Sequence, residues 1–176
     1  MHNVFRVTIA ALLVTATPAA AQVDLATKIA NDYSAPSVIG AKGKLLDDPK
    51  VEGGKALRVA VAKKGINNWD SIVESLVNKP IRAGDKLTLA FYARLEQVEG
   101  GATTAVLPYN ALQLVGAPYS TLFGEPITVG PDWKFYEIKG KADTSYSPGK
   151  VKASIQLGNA RQIVDFGTIF VFNMGQ

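Results

Sequence analysis

Residues 86–96 read KLTLAFYARLE, and their alternation decides the fold class. In an extended chain Leu87, Leu89, Phe91 and Ala93 point one way, and Thr88, Ala90, Tyr92 and Arg94 point the other. One side is wholly apolar, while the other ends in a phenol ring and a guanidinium. Such a strand belongs to a sheet with one face on a core and the other toward water.

Shorter versions of the same pattern appear on both sides of it. Toward the N-terminus, residues 56–61 (ALRVAV) form a strand with Leu57, Val59 and Val61 on one side, and residues 69–77 form another that begins at Trp69. Pro80 confines the next segment to an edge or a turn. Residues 33–39 and 44–46 are short extended pieces around a turn at Gly40–Gly43, and residues 23–32 hold at most a turn or two of helix. Toward the C-terminus, 105–107, 111–115 and 119–123 are extended pieces broken by Pro108, Gly116 and Pro118. Residues 127–129 and 133–141 are strands around Gly130-Pro131-Asp132. Residues 151–157, VKASIQL, put Val151, Ala153, Ile155 and Leu157 inward, with Lys152, Ser154 and Gln156 outward. The last pair, 162–166 and 168–173, divides at Gly167. No stretch keeps a helical period. Short strands recurring at roughly ten-residue intervals between Gly, Pro, Asn and Asp predict an all-β protein, a single β-sandwich.

The first residues have another purpose. Arg6, the apolar run at 7–14 and the small residues Ala19-Ala20-Ala21 make a secretory signal peptide over residues 1–21, too short for a membrane span. The mature domain then covers residues 22–176 from Gln22 and is secreted or periplasmic. It contains no Cys, so packing alone must hold it. The single histidine, His2, leaves with the signal peptide.

These absences remove whole classes of chemistry. Nucleophilic catalysis by Ser-His-Asp or Cys-His needs an imidazole or a thiol, and so do the common zinc and copper sites. The chain has 19 Lys and Arg against 15 Asp and Glu, scattered without a basic run, which gives no nucleic-acid surface. Ser147-x-x-Lys150 spans a Pro-Gly turn rather than a helix, and Gly40-x-x-Gly43-Lys44 lacks the spacing of a phosphate loop. Paired carboxylates can cleave a glycosidic bond without histidine, and Glu74, Glu96, Glu125 and Glu137 lie near strands, but none sits in a recognisable catalytic sequence. Asp47, Asp48 and Glu52 have the chemistry for calcium, although a solvated acidic loop is the simpler reading.

What remains is a set of aromatic and polar side chains suited to sugars. Rings lie against sugar C–H faces, while amides and charged groups take hydroxyls. The candidates are Asn68, Trp69, Tyr92, Arg94, Gln113, Tyr119 and Gln156. Tyr92, Arg94 and Gln156 occupy the non-core parity of their strands and are expected to line a binding face, with Asn68 and Trp69 at its edge. Trp133 is expected to fill core at one end of the sandwich.

In order, the landmarks are Gly53-Gly54-Lys55-Ala56-Leu57-Arg58-Val59, Asn67-Asn68-Trp69-Asp70, Ile81-x-x-Gly84-Asp85, the strand 87–94, Trp133-Lys134-Phe135-Tyr136 and Gln156-Leu157-Gly158. Together, from Gly53 to Asn173, they resemble the carbohydrate-binding modules of the family 4/9/22 type. The resemblance implies a jelly roll of the galactose-binding domain-like fold that takes a glycan on a concave face or loop edge. It also leaves a structural calcium open, with Asp165-Phe166-Gly167 as the region matching the family's calcium-holding Asp. No other cofactor is expected. The reading is a non-catalytic exported module that binds a carbohydrate. The alternatives are a structural or protein-interaction jelly roll of the cell envelope with an exported protein partner, and a carboxylate-based glycan-active enzyme.

Overall fold

The computed structural model describes residues 24–176; the expected signal peptide lies outside the described residues. A single helical turn, α1 (Leu25–Lys28), precedes ten strands: β1 (Ser37–Ile39), β2 (Lys42–Asp47), β3 (Lys55–Val61), β4 (Ile72–Leu76), β5 (Lys86–Val98), β6 (Ala105–Leu114), β7 (Thr121–Val129), β8 (Lys134–Lys141), β9 (Val151–Gln156) and β10 (Gln162–Gly175). They form two five-stranded antiparallel sheets, in the orders β1-β4-β9-β6-β7 and β2-β3-β10-β5-β8. The architecture is a β-sandwich jelly roll.

The stretch 86–96 sits inside the second sheet, between β10 and β8. Leu87, Leu89, Phe91, Ala93 and Leu95 are all buried against the facing sheet. Phe91 packs 6.0 Å from Phe166 and 5.9 Å from Tyr136, centroid to centroid. Val73, Leu107, Leu112, Ala153 and Ile155 supply the other half of the core. Burying a side chain of this size contributes about 1.5–3 kcal/mol.

Several short pieces expected from the sequence are parts of longer strands. Residues 105–107 and 111–115 merge into β6, whose register slips between Leu107 and Asn110. The slip accommodates Pro108, which cannot donate to a regular ladder. Residues 119–123 and 127–129 contribute to β7, an edge strand that tolerates Pro126. Residues 162–166 and 168–173 form one strand, β10, with a bulge between Phe166 and Ile169. Inward positions change there from Val164 and Phe166 to Ile169 and Val171, so the parity break at Gly167 marks a bulge rather than an end.

The N-terminal stretch does more than expected. Asn31 is buried where the sheets part: its Nδ2 donates to Ser75 Oγ (2.6 Å) on β4 and to the Ile169 carbonyl (2.9 Å) on β10, and its Oδ1 accepts from Val171 N (2.7 Å). A short polar side chain thus ties the two sheets together.

Candidate functional site

The outer face of the first sheet has three rungs in register. Ile72, Gln156 and Tyr109 form one; Glu74, Ser154, Ala111 and Gly124 the next; Leu76, Lys152, Gln113 and Thr121 the third. The middle rung contains three small residues, so the sheet surface sinks there. Gly124 keeps it low, because a Cβ at that position would come within 2.4 Å of the Ala111 Cβ. Across these rungs runs a groove of about 840 Å³, within the usual range for a ligand site.

Aromatic rings rise on both sides of the trough. Trp69 is 58% exposed beside the Ile72 rung. The sequence pattern placed it in a strand, but residues Asn68–Asp70 form a 3-10 turn leading into β4. Asp70 explains the difference, since its Oδ2 accepts from Ile66 N (2.8 Å) and Asn67 N (3.0 Å). These bonds hold the Asp70 carboxyl below its ordinary value, the Asn67 backbone N–H contributing most. Two glycines clamp this turn: a Cβ on Gly40 would lie 1.7 Å from the Asp70 carbonyl oxygen, and one on Gly158 would lie 2.5 Å from that of Asn67. Gly158 N also donates to the Asn68 carbonyl (2.8 Å). The ring is exposed but its backbone is pinned.

On the opposite side Tyr119, 55% exposed, stands on the loop between β6 and β7. It is a non-glycine residue with φ 57°, held by its N–H to the Gly116 carbonyl (2.8 Å). The Lys152 Nζ lies 5.8 Å from the Tyr119 ring centroid and is ion-paired with Glu74 in the trough. Gln113, Gln156 and Asn68 add amides to the lining. Rings thus flank a floor of paired donors and acceptors.

Of the seven residues singled out from the sequence, this groove brings together Asn68, Trp69, Gln113, Tyr119 and Gln156. Tyr92 and Arg94 stand on the outer face of the second sheet, so Tyr92, Arg94 and Gln156 do not share one face as expected. Tyr92 packs 4.9 Å from the Phe135 ring and lines a second groove of about 590 Å³ with Phe170, Phe172 and the Glu137–Lys139 pair (3.2 Å). Arg94 is committed to other protein groups. Its Nε and Nη2 donate to Asp165 Oδ2 (3.0 and 2.9 Å), and its guanidinium lies 4.9 Å from the Trp133 ring centroid. Arg58 makes a second fork to Asp165 (2.7 and 2.9 Å), which raises the Arg58 pKa above its ordinary value. Trp133 is only partly buried and donates Nε1 to Asp48 Oδ2 (3.1 Å), closing this network instead of filling the core.

The same network bears on calcium. Both oxygens of the fully buried Asp165 accept from guanidinium groups. Asp48 accepts from Lys50 N (3.0 Å) and Trp133, and Asp47 pairs with Lys55. Carboxylate oxygens that already accept from guanidinium, ammonium, indole and backbone N–H groups are a poor fit for calcium, which needs their lone pairs. The four glutamates near strands divide between the two sheets. Glu74, Glu96 and Glu137 are ion-paired with Lys152, Arg58 and Lys139, and Glu125 is exposed on β7.

Tyr109, Glu74 as a groove residue and Lys152 were not among the candidates from the sequence. The outward parity of Lys152 is readable in the sequence, whereas Pro108 hides the strand that carries Tyr109.

An antiparallel β-sandwich with a ring-flanked groove across one outer face defines the class of protein. No family model matches the sequence, and no curated protein matches it. Solved structures do share the fold. A CBM4 module aligns with a TM-score of 0.61 at 16% identity, covering 83% of this chain and 94% of that one. The second N-terminal cellulose-binding domain of Cellulomonas fimi β-1,4-glucanase C aligns with a TM-score of 0.61 at 14% identity, covering 85% and 92%. The C-terminal family 22 carbohydrate-binding module of Clostridium thermocellum Xyn10B aligns at 0.54 and 12% identity, covering 81% and 88%. The chain is similar to these modules in fold over nearly their whole length.

Proposed function

We propose that this chain is an exported, non-catalytic domain that binds a poly- or oligosaccharide in the groove between Trp69 and Tyr119. The observation that carries the reading is the combination of two exposed rings, held on pinned backbone, with an amide- and charge-lined trough. A sugar presents apolar C–H faces and a rim of hydroxyls, and this lining offers a partner to each. A ring face carries negative potential and attracts polarised C–H groups. A largely preformed site spares the ligand the cost of ordering it. Several structures of the same fold are described as cellulose-binding or xylan-binding domains, which supports the same ligand class. Export rests on the residues of the expected signal peptide; among the described residues, no helix is long and apolar enough to cross a membrane.

The test is electrophoresis of the purified domain through gels containing xylan, mixed-linkage β-glucan or hydroxyethyl cellulose. Retardation by at least one polymer, lost in a folded Trp69→Ala protein, is the expected result. Free migration in all three, repeated with bacterial and algal polysaccharides, would overturn the reading. A second reading, a jelly roll that binds an exported protein, is favoured by the aromatic cluster of Tyr92, Phe135, Phe170 and Phe172 on the opposite face.

A further inference from the structure

Granting the carbohydrate reading of the groove, its charges go further and name what the site selects. Among the described residues, Glu74 and Lys152 are the only charged side chains that line the groove, and they are paired with each other. Their side chains are only 15% and 13% exposed, so water screens them little. Glu74 stands directly across from Ser154, and Lys152 lies two residues from Ser154 on the same face. The Ser154 hydroxyl is fully buried and has no hydrogen-bond partner. Its burial keeps it out of the groove lining, so the Glu74–Lys152 pair alone presents charge there.

We infer that the Glu74–Lys152 pair is the charge-selectivity element of the groove: it admits uncharged sugars and turns away uronic acids, with Glu74 as the excluding residue. Lys152 has three N–H donors. One goes to Glu74, which leaves a donor for a sugar oxygen. Glu74 commits Oε1 to Lys152 and keeps Oε2 as an acceptor for a neighbouring hydroxyl. A vicinal diol satisfies both at once. A uronate carboxylate approaching Lys152 meets the Glu74 carboxylate beside it, in a site with net charge zero. Specificity then comes from a built-in repulsion as much as from attraction.

The experiment compares neutral β-glucan or xylan with polygalacturonate as immobilised polymers at low salt. The wild-type protein is expected to bind the neutral polymer at least tenfold more tightly. Glu74→Gln frees the Lys152 charge and should bring polygalacturonate binding up at least tenfold, in a form abolished by 0.5 M salt. The double exchange Glu74→Lys with Lys152→Glu keeps a pair in the trough and should keep the neutral preference, which guards against loss of folding in the single variant. Equal wild-type affinity for both polymers overturns the inference, as does a folded Glu74→Gln protein with unchanged selectivity. Failure of the wild-type protein to bind any polysaccharide would instead sink the carbohydrate reading beneath it.

Discussion

The two outer faces of this sandwich use similar residues to different ends. Each has aromatic rings, a lysine–glutamate pair and a groove. On the β1-β4-β9-β6-β7 face the central rung is small, the rings of Trp69 and Tyr119 stand exposed and apart, and the amides of Asn68, Gln113 and Gln156 line the trough. On the β2-β3-β10-β5-β8 face the strongest polar groups satisfy one another: Asp165 takes two guanidinium forks, Arg94 reaches on to Asp48, and Arg58 to Glu96 (2.8 Å). A polar group is available to a ligand only when the protein has not already used it. The first face keeps rings and amides open in its groove, whereas the second commits its charges to bracing the sheet.

Substitutions on either face put this contrast at risk. The largest effect is expected at Asp165. Asp165→Ala strands two arginines that are mostly covered, and loss of one partner from a buried ion network costs about 3–5 kcal/mol. Urea denaturation should report this loss, while polysaccharide binding by the remaining folded protein stays unchanged. A large fall in groove affinity at constant stability would reverse the roles of the two faces.

Trp69→Ala comes next. Loss of a stacking ring should weaken glycan binding by about 2 kcal/mol, roughly thirtyfold. Its melting temperature should scarcely move, because the side chain is already exposed. Tyr92→Ala should show the converse, a stability loss of about 1 kcal/mol from the contact with Phe135 and less than a twofold change in groove binding. Glycan binding abolished by Tyr92→Ala would instead move the site to the second groove.

The smallest effect concerns pH. The folded Asp70 carboxyl is held below its ordinary 3.8, so the turn that presents Trp69 is fully supported above that value. Support is lost as pH falls below 3.8 through the folded value. Binding should therefore be flat from pH 7 to pH 5 and weaken only near the acid end, with Asp70→Asn weaker at every pH.

Much of the fold was legible in residues 86–96 and 151–157, whose period-two pattern matches the burial of their apolar positions. Strand lengths were less legible. Pro108 and Gly167 looked like ends because bulges and breaks present the same residue types. Five of the seven candidate residues line one groove, but which candidates share a face was not legible in the chain. Trp69 was misplaced in a strand because the capping by Asp70 that turns the chain is local geometry without an apolar period.

The order of amino acids alone settled the alternation, and with it an all-β sandwich, with no imidazole or thiol in the proposed mature domain. The expected wet outer parity is largely covered, since Ala90, Ser154 and Gln156 are buried. Alternation assigns each side chain to an inner or an outer surface but cannot say which of two outer surfaces it occupies. Strand order in the folded sandwich resolves that. It placed Gln156 beside Trp69 in an open groove, and it brought Arg58 and Asp165 to Arg94 from strands far apart in the chain. The reason is that pairing between distant strands depends on the packing of the whole core, which no single stretch of the chain contains.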